Sequence, residues 1–172
     1  RALRGLSLAD QNQVENTLLS VGYDHKDLGG SSLSALLYGR DNFTRFAPAD
    51  LRTNVNRGNN VDQVMQNNKV FGGRLTIDTP LDAQQATRLV WGADFIEERS
   101  NMPLDVFDPA AYDASGGLVF RPIRRLTYMP WTTTRSVGAF GQLQHRFSDR
   151  WSAEGGLRYE RAQASFDDFQ PL

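Results

Sequence analysis

The connections in this chain alternate in length. Stretches of alternating apolar and polar residues are joined by short links at about residues 26–31, 80–86 and 148–150. Long links fall between them, at about 44–68 and 100–133, so the order is short, long, short, long, short. Antiparallel strands joined this way gather their tight hairpins at one end of a sheet and their elaborate ones at the other. The two ends then differ chemically. A transmembrane β-barrel is built like this, with short turns on one side of the membrane and long loops on the other.

The alternation predicts six strands. At about 14–25, Thr17, Leu19, Val21 and Tyr23 share one face and Asn16, Ser20, Gly22 and Asp24 the other. At about 32–43, Leu33, Ala35 and Leu37 oppose Ser34, Tyr38, Arg40 and Asn42. At about 70–79, Phe71, Leu75 and Ile77 oppose Arg74, Thr76 and Asp78. At about 88–99, Leu89, Trp91, Ala93 and Phe95 oppose Gly92, Asp94 and Glu98. At about 135–147, Val137, Ala139, Leu143 and Phe147 oppose Gln142, Gln144 and Arg146. At about 151–166, Trp151, Ala153, Leu157 and Tyr159 oppose Ser152, Glu154, Arg158 and Glu160. Period two over such lengths is the strand signal.

A soluble sandwich also has an apolar and a polar face. The runs here are about twice the usual strand length. Their polar face carries charge along its length, as a water-filled lumen needs. Aromatics gather near the strand ends, with Tyr23, Phe147 and Trp151 toward the short links and Phe43, Phe46 and Phe71 toward the long ones. Such girdles sit at lipid headgroup level. The expected fold is all-β: an antiparallel up-and-down meander of about six long strands, part of a transmembrane β-barrel. Gly29 and Gly30 suit a tight turn, and Pro80 ends a strand by withholding a ladder donor. Residues 1–12 show no clear period and read as loop.

Composition narrows the partners. Lys and Arg number 19 against 20 Asp and Glu, so nothing calls for nucleic acid. Cysteine is absent, which leaves no disulfide framework and no thiolate metal site. No stretch reaches the about 18 apolar residues of a membrane helix, which says nothing against barrel strands. The chain opens on Arg1 with no visible signal peptide and reads as a segment of a longer protein.

The run Val137-Gly138-Ala139-Phe140-Gly141-Gln142-Leu143, the turn Ser148-Asp149-Arg150-Trp151 and the run Gly155-Gly156-Leu157-Arg158-Tyr159-Glu160 together resemble TonB-dependent outer-membrane receptors of the siderophore type. Phe71-Gly72-Gly73-Arg74-Leu75 through Thr79-Pro80-Leu81, followed by Leu89-Val90-Trp91-Gly92-Ala93-Asp94-Phe95, is similar to successive barrel strands of the same family. The resemblance covers the chain from about Thr17 onward. It implies a barrel of about 22 strands around an N-terminal plug, in the bacterial outer membrane. It also implies a short box that meets the TonB energy-transducing complex. On that basis residues 1–172 are part of the barrel domain, with the plug, the box and the remaining strands outside it.

No enzyme constellation stands out: no Gly-x-Ser-x-Gly elbow, no phosphate loop and no His-Glu-x-x-His. No cofactor is expected. His25 and His145 read as solvated turn residues, and Asp105, Asp108 and Asp113 match no calcium-loop spacing. Asp94 and Glu98 share a strand face and read as lumen charge, while Glu97 points away. The link at 101–130 is the best candidate for recognition. It holds Tyr112, Phe120, Arg121, Arg124 and Tyr128, with Trp131 just after it. Aromatic faces beside guanidinium forks suit an anionic, partly aromatic ligand such as a ferric siderophore; packing of the link against its neighbours would use the same residues. The stretch 52–68, rich in Asn and poor in aromatics, reads as a mobile, solvated loop.

The expected function is a share in energy-coupled uptake of ferric siderophore or a similar chelate, with outer-membrane lipid as the surrounding partner. A passive porin or adhesive barrel, or a soluble ligand-binding β-domain, are the alternatives.

Overall fold

The structure, a computed structural model, describes residues 12–168. The strands are β1 (Gln13–Leu28), β2 (Ser31–Arg45), β3 (Ala49–Asp50), β4 (Val61–Pro80), β5 (Thr87–Phe107), β6 (Pro122–Ser148) and β7 (Trp151–Phe166). A short α-helix, α1 (Pro109–Ala114), lies between β5 and β6, and a 3-10 turn spans Val55–Arg57 between β3 and β4. All pairing is antiparallel, in the order β1-β2-β4-β5-β6-β7, and β3 adds a short pairing to the start of β4. The six expected strands are therefore present as a meander in chain order. The opening stretch read as loop lies, apart from Asn12, outside the described residues.

The tight links are held by local chemistry. Gly29 and Gly30 adopt φ of 63° and 89°, and the Gly30 N–H donates to Asp27 Oδ1 at 2.9 Å. Between β4 and β5, the Asp82 carboxylate accepts from Ala86 N at 2.9 Å and Thr87 N at 2.6 Å. These bonds, that from Ala86 foremost, hold its carboxyl below the usual carboxylate range.

Register assigns the faces. Directly opposed residues share a face, and Tyr23, Ala35, Leu75, Ala93, Ala139 and Tyr159 form one continuous row across the sheet. The neighbouring row holds Arg74, Asp94, Gly138 and Glu160. Leu89, Trp91, Phe95, Leu143 and Leu157 fall on the apolar face with Tyr159; Gln142 and Arg158 fall on the polar one. Along β5 the apolar positions run from Leu89 to Phe95, flanked by Thr87 and Glu97. Leu89 to Phe95 is about 20 Å of strand, and the bracket from Thr87 to Glu97 is about 34 Å. A tilt of about 40° brings the bracket to about 26 Å, the height of a lipid-facing band.

Beyond this band the strands continue, and here the sequence expectation is corrected. The long links shrink from 44–68 and 100–133 to 46–60 and 108–121, because β4, β5 and β6 extend well past the band. Over the extension the two faces exchange character. The outward face becomes charged: Lys69 pairs with Asp41 at 3.1 Å, Arg135 with Glu97 at 2.6 Å and Arg125 with Asp105 at 2.6 Å. The inward face becomes apolar: Val64, Leu104 and Val106 are buried together, with Met102 and Leu126 packed against them. This cluster is the core of the described residues, and it lies above the lipid band. On the opposite face Val61, Met65 and Phe107 are buried as well, Phe107 with its ring 5.3 Å from that of Phe120.

The reading of 52–68 as mobile and solvated is also corrected. Residues 61–68 belong to β4, and Asn68 is buried. Asn67 Nδ2 donates to Asn101 Oδ1 at 2.7 Å, directly across the ladder. Asn68 accepts from Arg40 Nη2 at 3.3 Å and donates to Glu98. Asn67 and Asn68 are thus satisfied across strands, while Asn54, Asn56 and Asn59 in the loop part of the stretch are exposed, as expected.

Candidate functional site

The long-link end holds two loops and the inward face beneath them. The loop 108–121 is stiffened from within. Asp108 caps α1, its Oδ1 accepting from Ala110 N at 2.9 Å, and Pro109 supplies the first turn. The helix ends at Gly116 and Gly117, with φ of 65° and 86°. Phe120 packs its ring 5.3 Å from Phe107 and 5.6 Å from Tyr112, and Asp108 N donates to Arg121 O at 2.8 Å to close the loop base.

Arg52 joins this loop to the other. Its Nη1 and Nη2 each reach the Asp113 carboxylate at 2.9 Å, while Nε and Nη2 bind Asp50 at 2.9 and 2.6 Å. Its guanidinium also lies 5.6 Å from the Tyr112 ring centroid. The hydrogen bonds from Arg52 hold both carboxyls below the usual carboxylate range. One guanidinium thus latches two loops through two acids.

Under the latch, on the inward face, is a cavity of about 330 Å³. Phe46 and Leu51 close it from the first loop, Asp62 and Val64 from β4, Met102 from β5 and Tyr128 from β6. Phe46, expected in an outward girdle, turns inward here, its N–H donating to Val64 O at 3.0 Å. Arg124 shares the Tyr128 face of β6, two residues beyond Leu126, and its Nη2 donates to Asn60 Oδ1 at 3.1 Å. The cavity is mostly apolar, with a carboxylate in its wall and an arginine nearby.

Below it the inward face is polar. Arg158 reaches Asp94 through two bonds of 2.7 and 2.8 Å and Glu160 at 3.2 Å, and Ser136 donates to Glu160 at 2.6 Å. Asp94 and Glu98 share this face as expected, and Glu97 faces outward to Arg135.

The residues singled out from sequence separate into three groups. Tyr112 and Phe120 pack against each other inside the loop. Arg124 and Tyr128 are on β6 and face the cavity side, with Arg121 exposed at the start of that arm. Trp131 is on the opposite, outward face, with the Arg99 guanidinium 4.6 Å from its ring. Leu51, Val64 and Met102 escape sequence reasoning, and Phe46 figures there only as a girdle aromatic. The available signal was a change of phase: apolar residues sit at odd positions from Leu89 to Phe95 and at even ones in Met102, Leu104 and Val106.

Asp105, Asp108 and Asp113 serve separate ends, pairing with Arg125, capping α1 and meeting Arg52. Among the described residues no three His, Asp or Glu converge as metal ligands. His145 Nδ1 lies 2.9 Å from Thr87 Oγ1, at the short-turn end.

Comparison with known proteins agrees with this architecture. Residues 2–172 match the family model described as TonB dependent receptor-like, beta-barrel. The chain is 29% identical over 157 residues to the ferric aerobactin receptor of Klebsiella pneumoniae, covering 91% of this chain and 21% of that protein. It is 28% identical over 160 residues to the rhizobactin receptor of Rhizobium meliloti (strain 1021), with the same coverage. It therefore spans about a fifth of the length of these curated relatives. The solved structure of the copper transporter OprC superposes with a TM-score of 0.68 at 16% identity, over 89% of this chain and 23% of that one, a likeness of fold. An antiparallel meander with a lipid-height apolar band, matched by the family model over nearly its whole length, has one assignment: the chain belongs to the TonB-dependent receptor-like β-barrel family.

Proposed function

We propose that this sheet is a stretch of barrel wall from an outer-membrane receptor that takes up a ferric siderophore or similar chelate, driven through the TonB complex. The observation that carries the reading is the exchange of faces. Within the band the sheet presents Leu, Trp and Phe outward, as lipid requires. Above it the sheet turns its apolar residues inward, around a cavity at the end where such barrels have long loops. A passive channel needs no ordered apolar pocket at its mouth; a receptor that captures a scarce ligand does. The names of the relatives, receptors for ferric aerobactin and rhizobactin, support an iron chelate as cargo.

In this reading Tyr128 and Arg124 face the ligand, with Arg121 at the rim. Tyr112 and Phe120 stiffen the loop that frames the site, and Trp131 anchors the outer surface. The TonB complex engages the receptor away from this sheet, and the protein carries out transport with no reaction of its own.

The test is uptake of radiolabelled ferric chelate by cells whose only siderophore receptor is the full-length protein, with and without a protonophore. Accumulation that collapses with the proton gradient is the expected result. Uptake that ignores the gradient would point to a passive pore, and no binding of any ferric chelate would overturn the reading.

A further inference from the structure

The walls of the cavity under the Arg52 latch are fixed by the backbone. Phe46 N donates to Val64 O at 3.0 Å, and Gln63 Nε2 donates to Phe46 O at 2.8 Å. Leu51 N donates to Asn60 O at 2.9 Å, and Ala49 pairs with Asp62. These bonds spend main-chain donors and acceptors of the wall, so side chains face the space. Phe46, Ala49 and Leu51 stand on one side of it, and Val64, Met102 and Tyr128 on the other. Every wall comes from β3 to β6 or the 46–60 link, and none from the terminal strands β1 and β7.

The floor is apolar too. Val64 belongs to the buried cluster with Leu104 and Val106, and Met102 and Leu126 pack on it. Phe46 and Tyr128, 42% and 45% exposed, form the rim. A preformed apolar space of about 330 Å³ favours an apolar occupant, because water inside it finds few partners.

Charge decides which part of a chelate enters. Among the described residues that line the cavity none is Lys or Arg, and the one acid is Asp62, 1% exposed. An anionic iron-binding head pushed into this space would lose its water and meet a carboxylate, with no lining cation to offset either cost. The cation that suits the head stands outside. Arg124 lies on the same face of β6, two residues beyond Leu126, and its Nη2 donates to Asn60 Oδ1 at 3.1 Å. The inward face therefore offers a charged donor at the edge of an apolar pocket, which is the arrangement an amphiphilic ligand requires.

We propose that the cavity takes an aliphatic arm of the ferric chelate, so that the receptor selects an amphiphilic siderophore. The iron-binding head stays beside Arg124, and the alkyl chain is seated between Phe46, Leu51, Val64 and Met102. The inference rests on the receptor reading and adds to it the class of chelate. Each methylene that leaves water is worth about fourfold in affinity, so a chain of several methylenes gives a clear preference over the same head without it.

The experiment uses the full-length receptor in phosphatidylcholine nanodiscs and two probes. One is ferric aerobactin, the chelate in the name of a relative, and the other is a derivative of it carrying an octyl chain. Binding to empty nanodiscs is subtracted. The wild type should bind the octyl probe about tenfold or more tighter than ferric aerobactin. Met102→Gln, close in size to the native side chain, should cut that ratio to about threefold or less, and so should Ala47→Phe, which fills the space. Met102→Gln carries the test if Ala47→Phe fails to insert. Both probes bound with equal affinity by the wild type overturns the arm site and leaves the receptor reading standing. A ratio kept in full by the variants overturns the arm site too, because the chain is then held by lipid or elsewhere on the receptor. Binding of neither probe defeats the receptor reading, and the arm site with it.

Discussion

Phe140 lies directly opposite Gly92 and covers its backbone, with the Arg74 guanidinium 4.7 Å from the Phe140 ring centroid. A Cβ on Gly92 would stand 2.9 Å from the Phe140 ring and 2.0 Å from the Leu75 carbonyl oxygen. The second contact is with backbone and cannot be relieved by a rotamer change. Gly92→Ala should therefore lower the stability of the inserted barrel by about 1–3 kcal/mol, the usual cost of overpacking. Gly141, where an added Cβ would meet nothing within 4 Å, is the control, and Gly141→Ala should be nearly neutral. Urea refolding into vesicles measures both.

The lipid-facing assignment has a sharper test on β7. Leu157 points outward, 87% exposed in the sheet alone, in a row with Trp91 and Ile77. Arg158, one residue on, points inward to Asp94. Leu157→Arg near the bilayer centre should cost roughly 2–4 kcal/mol. Gln142→Arg, on the inward face, should cost little. Equal costs would mean that both faces meet the same solvent.

These faces were legible in the sequence, and the reason is local. From Leu89 to Phe95 and from Val137 to Leu143 one surface meets lipid and the other meets water, so period two is kept. The strand extensions were not legible, for an equally local reason. Between Phe95 and Met102 the apolar phase shifts from odd to even positions, and Glu97 and Arg99 occupy the changeover. A shift of phase looks like the end of a strand. Pro103 and Pro130 reinforce that look, yet both sit beside register shifts between β5 and β6, where proline is tolerated. The site was legible only in kind. The aromatic and arginine content of 101–131 marked the right end of the sheet, but composition does not say which face a strand residue takes, and Tyr128 and Trp131 take opposite ones.

The Arg52 latch should be sensitive to acid. Asp50 and Asp113 both titrate below ordinary carboxyls because each accepts from Arg52. Their contribution to docking the two loops is complete above the ordinary carboxylate range, near pH ~4. It is lost as pH falls through their lowered folded values. Amide exchange across 108–121, corrected for the intrinsic rate, should rise on acidification through that window. In Arg52→Gln the same segment should exchange faster at neutral pH and lose the acid-dependent step. A wild-type loop equally protected on both sides of the window would show that packing of Tyr112, Phe107 and Phe120 holds it without the latch.

The last prediction separates the residues that face the ligand from those that only share its end of the barrel. Tyr128 lines the inward cavity, and Arg124 lies on the same face of β6. A ferric chelate entering from the long-link end would pass these two groups, one offering a π face and a hydroxyl, the other a charged donor. Trp131 stands on the opposite face against Arg99 and cannot reach that cavity without reversing the strand. Arg124→Ala and Tyr128→Ala should each weaken binding of the cognate ferric chelate about tenfold, as the loss of a charged or buried hydrogen bond does. Trp131→Ala should leave affinity within about twofold, although it removes an interfacial anchor and can lower the yield of inserted receptor. Titration of the chelate by intrinsic fluorescence quenching, on receptors checked for normal heat-modifiable mobility, measures all three. Equal losses at Trp131 and Tyr128 would mean that the ligand is not bound from the inward face; no loss at Arg124 and Tyr128 would leave the cavity a packing feature of the strand extensions.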